Sequence, residues 1–407
     1  MDKNSLQGLT LAQAGADQHS IRDNNTHLIL RIIEEEGPLS RAEIGEMVNI
    51  SAPTISSIVD ELEEKNLIRE LEPAASSGGR KPIPLEFNAG AGYVVGIDVG
   101  GTNVEIGLSD LEGEIVSSTT FAAETIGSGR EAVSRLAELV ERVIGSSSIG
   151  REQVRCVGLG VPGVTDVEEG RVSLAPAFYW HELPIRDMLK EELDMAVAIE
   201  NDVNAAAYAE KRYGRGQEYS HFIFISVGTG IGAGVILDDR LHRGHSFAAG
   251  EVGYTIIDLD WIEERQEQKE QHEEQVEDFG CLESSAAAPA IVDRARRLGF
   301  DFNGDVSAYE VLRRAESGDE VAGRVLDEVT DHLAAGIINS SLIINPEAVF
   351  LGGGIFEAGD TILKPIRRKV KSSSPLELEL YISSFGHEAS LRGAISIAAD
   401  QARVSLL

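Results

Sequence analysis

The chain has 407 residues, 42% of them apolar, which is enough for two or three domains with sizeable cores. No run approaches the ~18 apolar residues of a membrane span, and Met1-Asp2-Lys3-Asn4 lacks the pattern of a signal peptide, so a cytoplasmic protein is expected. A formal net charge of −32 argues against a protein that holds polyanions by bulk charge. It fits either an acidic coat kept for solubility or a salt-rich cytoplasm, where charge is screened over ~3 Å at 1 M. Cys156 and Cys281 are the only cysteines, and Cys156 sits in an apolar run, so two reduced thiols are expected rather than a disulfide.

Residues 1–20 read as a flexible polar arm, with Lys3 as its one basic residue. Residues 21–36 place Leu28, Ile29, Ile32 and Ile33 on one helical stripe, and Gly37-Pro38 ends that helix. Ser40 with Glu43 has capping-box spacing and predicts a second helix over about 41–48. Ser51, followed by Pro53 in the first turn, caps a third helix with Ile55, Ile58, Val59 and Leu62 facing the core. Its N-terminal turns present Ser51, Thr54, Ser56 and Ser57, short side chains able to hydrogen-bond bases or phosphates. Leu67–Arg69 and Ile83–Phe87 read as two strands of a wing, with Arg80 and Lys81 at a glycine-rich tip. Three helices and a wing at this spacing predict a winged helix-turn-helix bound to a double-stranded DNA operator. The plainer reading is a three-helix dimerisation module with a solvated hairpin. The acidic Asp60, Glu61, Glu63 and Glu64 fall late in the third helix, away from the groove end.

From Tyr93 strands alternate with helices. Tyr93–Asp98 is a buried strand ending in a carboxylate placed to hold Mg²⁺, and Gly100-Gly101-Thr102 is a tight turn whose N–H groups suit phosphate. A second glycine turn, Gly228-Thr229-Gly230, follows the strand Ile223–Val227. A third, around Gly353, follows Ala348–Phe350. Between the first two lies Glu200-Asn201-Asp202, where a carboxylate at a strand end can act as a base toward a sugar hydroxyl. The competing reading is that strand–turn geometry alone requires these glycines. The helix Val329–Ile344 carries Leu333, Ile337, Leu342 and Ile343 on apolar faces that fit either the core or a dimer interface, and the core is expected.

These motifs carry a resemblance. DVGGTN (98–103), GLGVPGVTD (158–166), ENDVNA (200–205), SVGTGIGAG (226–234), AGEVG (249–253), GCLE (280–283) and NPEAVFLGGGI (345–355) look like those of the ROK family, in its repressor branch. The resemblance covers about 21–406 and implies a multi-domain α/β protein. A winged helix-turn-helix over 21–88 precedes two ribonuclease-H-like lobes of the actin and hexokinase type. Lobe one spans 89–205, completed by about 386–406, and lobe two spans 206–385 with an acidic insert at 258–278. The resemblance puts Asp202 at the catalytic-base position of a kinase. It puts Asn201, Asp202, Glu251 and Glu283 where sugar hydroxyls bind, and Asp98, Gly100, Gly101, Thr102, Gly228, Thr229, Gly230 and Gly353 where nucleotide phosphates bind.

Two departures matter. The family's zinc-binding histidine is replaced by Tyr254, and of its cysteines only Cys281 remains, so zinc is not expected. His272 lies alone among glutamates in the insert, which is expected to be an exposed helix or disordered. Ala177 stands where an asparagine is common, and Trp180 reads as a packing residue. The implied function is a sugar-controlled regulator, a homodimer or dimer of dimers, with a sugar or sugar phosphate as effector and a linker at 88–92 passing on lobe closure. The alternative is an ATP–Mg²⁺-dependent sugar kinase, alone or combined with regulation.

Overall fold

The computed structural model describes residues 18–72, 82–175, 178–271, 279–302, 304 and 306–407. The chain divides into two compact units: one holds the described residues up to 93, with 110–112 and 400–407, and the other holds 94–109 and 113–399.

In the first unit, helix α1 (Gln18–Glu36) buries Ile29, Leu30, Ile32 and Ile33. Strand β1 (Leu39–Ser40) leads into α2 (Arg41–Met47), whose capping box is complete: Ser40 Oγ accepts the Glu43 N–H, and the Ser40 N–H donates to Glu43 Oε2 at 2.8 Å. Such a cap is worth ~1 kcal/mol to a short helix. Helix α3 (Ala52–Glu64) buries the predicted Ile55, Ile58, Val59 and Leu62. Strands β2 (Ile68–Glu70) and β3 (Pro84–Phe87) pair antiparallel, and β1 joins the far edge of β3, giving the order β1-β3-β2. The wing thus has one strand more than the sequence suggested. Two-residue β1 is too short to show an alternating pattern. Within the expected linker at 88–92, Ala89–Ala91 form a 3-10 turn, and Asn88 donates to the carbonyls of Leu67 and Asn66.

The second unit contains two five-stranded sheets of the same order. The first uses β4 (Tyr93–Val99), β5 (Asn103–Asp110), β6 (Ile115–Ala122), β7 (Val154–Val161) and β11 (Ala196–Asn201), arranged β11-β7-β4-β5-β6. The second uses β12 (Phe222–Val227), β13 (Ile231–Leu237), β14 (Arg240–Leu241), β15 (Ala348–Gly352) and β16 (Glu379–Ile382), arranged β14-β13-β12-β15-β16. Numbered within each repeat, both read 5-4-1-2-3 or its mirror order, so one lobe topology occurs twice. Each Gly-Gly-Thr or Gly-Thr-Gly turn joins the first strand of its repeat to the second. A small sheet of β8 (Val164–Asp166), β9 (Arg171–Ala175) and β10 (Trp180–Leu183) adjoins the first lobe's sequence. Trp180 is buried there, 5.0 Å from the Phe178 ring, as a packing residue.

Around these sheets the chain adds α4 (Gly129–Ser146), α5 (Ile185–Leu193) and α6 (Asp202–Tyr213), then α7 (Asp260–Gln271) in the acidic insert. Four helices follow before β15: α8 (Cys281–Ala286), α9 (Ala288–Arg297), α10 (Ala308–Glu316) and α11 (Glu320–Ile344). Helices α12 (Asp360–Ser373) and α13 (Ala389–Leu406) complete the order. One apolar cluster joins Ile223, Ile225, Val349 and Leu351 of the second sheet to α8–α12; on the opposite side Phe222, Phe224 and Phe350 pack on Ala206 and Ala207 of α6.

Helix α11 corrects one expectation. It starts earlier than Val329 and buries Leu333, Ile337 and Ser341, but Leu342 is 50% and Ile343 83% exposed. The buried stripe runs at i, i+4 and i+8, and the next two residues rotate ~100° and ~200° away from it. Both cysteines are free and buried.

Candidate functional site

The reader's predicted contact residues share the uncovered face of α3. Ser51 and Ser57 are exposed, and Thr54 and Ser56 half-buried. Ser51 Oγ caps α3 through the Thr54 N–H and lies 2.8 Å from Thr54 Oγ1, so the two hydroxyls are fixed together at the helix start. Arg22 of α1 reaches over this face, donating to Ser57 Oγ at 3.3 Å and to Glu61 at 2.8 Å. Arg41 collects three carboxylates: Asp60 and Glu63 at 2.9 Å and Glu70 at 3.0 Å. The acidic late half of α3 is therefore only partly neutralised: three carboxylates share Arg41, and burial with the charges of Glu70 and Asp60 still raises the Glu63 carboxyl. Neither arginine was singled out from sequence, because each lies on a different helix from the acids it serves. Arg80 and Lys81 lie outside the described residues.

The cleft acids are built from strand ends. Asp98 is the last residue but one of β4, and Asp202 opens α6 directly after β11, with β7 between those strands. Gly160 of β7 leaves room there; a Cβ on it would lie 3.0 Å from Ser390 Oγ and 3.7 Å from the Asp202 Cα. Ser390 donates to Asp98 Oδ1 at 2.6 Å. Asn201 caps α6: its Oδ1 accepts the N–H groups of Val203 and Asn204, and its Nδ2 donates to the Gly163 carbonyl and to Asp202 Oδ1. With both ends of its amide so engaged, Asn201 orients Asp202. Asp202 Oδ1 also accepts the Val203 N–H at 2.9 Å.

Burial pushes the Asp202 carboxyl up to about 8, with the charges of Asp98 and Glu251 adding to the rise. Burial likewise raises Asp98 to about 6, against the Ser390 hydrogen bond. Glu283 rises to about 7 through burial and the charge of Glu251, opposed by the Ile231 N–H, and burial raises Glu251 too. Asp202, Asp98, Glu251 and Glu283 thus form one electrostatically linked set of carboxyls whose neutral forms burial favours.

Glu200 differs. Buried one residue before Asn201, it is held by Arg243 at 2.8 and 2.6 Å and by Asn204 Nδ2 at 3.2 Å. Arg243 stands in the loop leading to Glu251, so this pair ties the Asn201–Asp202 corner to that loop. Sequence reading missed Arg243 and Ser390, since neither sits in a glycine or carboxylate motif.

The glycine turns separate into packed and open positions. A Cβ on Gly101 would meet Thr229 Oγ1 at 2.7 Å, so the turns carrying Gly100, Gly101 and Thr102 and Gly228, Thr229 and Gly230 face each other. Gly353, at φ +87°, backs onto the Val227 carbonyl, where a Cβ would come within 2.3 Å. Strand packing therefore explains Gly353. At Gly228 a Cβ would meet nothing within 4 Å, so packing does not explain that residue.

The donors left in the family's zinc position do not fit the metal. The Cys281 sulfur is buried and accepts the Ile257 N–H at 3.5 Å, and Tyr254 stands half-exposed in place of histidine. One thiol and one phenol fall short of the four soft ligands zinc prefers. His272 and Ala177 lie outside the described residues.

Comparison with known proteins agrees with this division. The profile for winged helix-turn-helix DNA-binding segments matches residues 22–69, and the ROK family profile matches 94–401. The xylose repressor of Bacillus subtilis is 31% identical over 389 residues, covering 95% of this chain and 97% of that protein. A glucokinase of Thermotoga maritima is 31% identical over 320 residues, 75% of this chain and 96% of the enzyme. A solved ROK family transcriptional regulator, a homolog of E. coli MLC protein, superposes with a TM-score of 0.78 at 24% identity over 95% of this chain and 98% of its own. The match to the glucokinase thus leaves a quarter of this chain uncovered, whereas the match to the repressor covers nearly all of it. With a reader at 22–69 and two lobes that face their glycine turns across a set of carboxylates, the chain belongs to the ROK family.

Proposed function

We propose that the chain is a sugar-responsive DNA-binding transcriptional repressor whose effector is an aldose of the xylose type. One observation carries the reading. The same chain holds a recognition helix presenting short hydroxyls and a cleft of linked carboxylates, and the xylose repressor of Bacillus subtilis aligns with nearly all of it. Sugar hydroxyls donate to Asp202, Glu251 and Glu283, while Asn201 holds Asp202 in place. Two copies place two α3 helices on the half-sites of a pseudo-palindromic operator. Sugar releases the operator if it binds the DNA-free state more tightly; a tenfold preference is worth about 1.4 kcal/mol per site.

The test uses a DNA fragment selected from a random pool by the full-length protein, with gel shift in the presence and absence of D-xylose. Selection of a defined palindrome that xylose releases supports the reading. No selected sequence, or a palindrome indifferent to every aldose tried, refutes it.

A second reading rests on Asp202 and the open Gly228. ATP–Mg²⁺ held by the glycine turns would supply a phosphoryl group, and Asp202 would take the proton of the attacking hydroxyl. Thermal unfolding against ATP–Mg²⁺ with and without xylose separates the readings, because a ligand at 100 times its Kd adds about 2.7 kcal/mol of stability. A nucleotide shift enhanced by sugar, with phosphate transfer lost in Asp202→Asn, establishes kinase activity.

A further inference from the structure

The last turn of α13 carries a nearly buried cation inside the DNA-reading unit. Arg403 is 6% exposed, and its Nη2 lies 2.6 Å from Glu34 Oε1, on a glutamate of α1 whose side chain is 11% exposed. Its Nη1 donates to Asp400 at 2.7 Å, and Nη2 also donates to the Leu111 carbonyl in the turn after β5. The guanidinium carbon lies 5.6 Å from the centre of the Phe87 ring on wing strand β3. This corner is otherwise acidic: burial raises the Glu112 carboxyl, the charges of Asp110, Glu34 and Glu86 add to the rise, and Arg403 lowers it. A few residues on, the Leu407 carbonyl accepts from Lys65 Nζ, directly after α3, and Lys65 also pairs with Glu61 of that helix at 3.2 Å. Residues 400–407 therefore touch the first helix, the wing and the end of the recognition helix. The helix that brings them begins at Ala389, and its second residue is the Ser390 that holds Asp98.

We propose that Arg403 is a positioning residue of the DNA reader, and that it couples sugar occupancy to DNA binding through the helix it shares with Ser390. The coupling rests on the sugar-responsive reading above; the positioning of the reader does not. A buried ion pair is a poor source of net stability, but removing one partner is strongly destabilising. Without Arg403, Glu34 and Asp400 lose the guanidinium they share, and residues 400–407 lose that hold on α1 and β3. A ligand that rearranges the groups around Asp98 acts on the first turn of the same helix. The sequence gives little warning, because Arg403 lies 369 positions from its partner Glu34.

The experiment uses the full-length protein, DNA selected from a random pool by the wild type, and D-xylose. Operator affinity with and without xylose, and xylose affinity alone, are measured for Arg403→Met, Arg403→Lys, Glu34→Gln and the double variant Glu34→Gln/Arg403→Met. Arg403→Met is expected to weaken DNA at least tenfold while xylose affinity stays within twofold. The ratio of the two DNA affinities should fall toward one, and Arg403→Lys should recover part of it. The double variant should bind DNA no worse than Arg403→Met. A reader that was merely loosened would weaken equally in both states, so an unchanged ratio overturns the coupling. Additive effects of the two single substitutions overturn the pairing. If Arg403→Met does not fold, Glu34→Gln decides: wild-type affinity and ratio in that variant overturn the proposal. If the wild type selects DNA but ignores xylose, the sugar reading and the coupling fail together, and the DNA arm still decides whether Arg403 positions the reader.

Discussion

Sugar binding should strengthen with pH between 6 and 8, and Asp202 sets the size of the effect. Burial pushes its carboxyl up to about 8. A hydroxyl donated by a sugar favours the ionised form, so the group must lose its proton on binding. At pH 8 about half of the molecules have already paid that proton, and at pH 6 about 1% have, which makes Kd about fiftyfold weaker at the lower pH from this group alone. Glu283, raised to about 7, and Glu251 act in the same direction. Because these acids sense one another's charge, their effects do not multiply as independent sites would. Calorimetry with D-xylose in two buffers of different ionisation enthalpy reads both quantities: Kd against pH, and protons released per sugar. Asp202→Asn should bind weakly and lose most of the slope. A Kd flat between pH 6 and 8, or net proton uptake, refutes this account of the cleft.

Without ligand the same groups make stability fall as pH rises. Asp98 and Asp202 have raised folded-state values, so their stabilising contribution is complete below the ordinary carboxylate range and is lost as pH climbs through about 6 and about 8. The Tm of the second unit should therefore drop between pH 5 and 8.5 in scanning calorimetry, less steeply in Asp202→Asn; a rising curve contradicts the assignment. Arg41→Ala frees three carboxylates beside the recognition helix and should weaken all DNA sequences alike, by roughly 1 kcal/mol. A loss confined to one operator position would instead make Arg41 a base reader. Replacing Arg80 and Lys81 together with alanine should lower the salt slope of DNA binding by about 2, one phosphate contact each. An unchanged slope removes the wing tip from the interface.

The reader was legible because its signals are local. The Ser40–Glu43 box, the Ser51 cap and the stripe Ile55, Ile58, Val59 and Leu62 each lie within one or two helical turns, and all form as their spacing requires. Strand-end carboxylates were equally readable, since an apolar run ending in Asp98 or Asn201-Asp202 marks a buried strand reaching an edge. What escaped notice depends on partners far apart in sequence. Arg243 meets Glu200 across 43 residues, Ser390 meets Asp98 across 292, and nothing near either residue announces the contact. Leu342 and Ile343 erred the other way: a helical apolar pattern cannot tell a last turn that outruns its core cluster from one that stays on it. The amide of Asn201 shows a different limit, because a residue type suited to sugar contact is equally suited to capping the next helix.

The net charge returns as a question about DNA itself. In the reader Arg22, Arg41 and Arg69 are all paired with glutamate or aspartate, so the exposed face of α3 offers hydroxyls and little free positive charge. A protein of net charge −32 repels a phosphate backbone beyond direct contact, and that repulsion reaches ~10 Å at 0.1 M salt but ~3 Å at 1 M. Ordinary readers lose affinity steadily as salt rises, because each phosphate contact releases counterions. Here two terms oppose each other: few contacts are weakened by salt, and a large repulsion is relieved by it. Operator affinity measured from 0.1 to 2 M KCl should therefore rise before it falls, with full folding reached only at the higher concentrations. That outcome assigns the acidity to a salt-rich cytoplasm. A monotonic fall from the lowest salt, with a folded protein throughout, assigns it to solubility and means that the wing tip supplies more charge than α3 does.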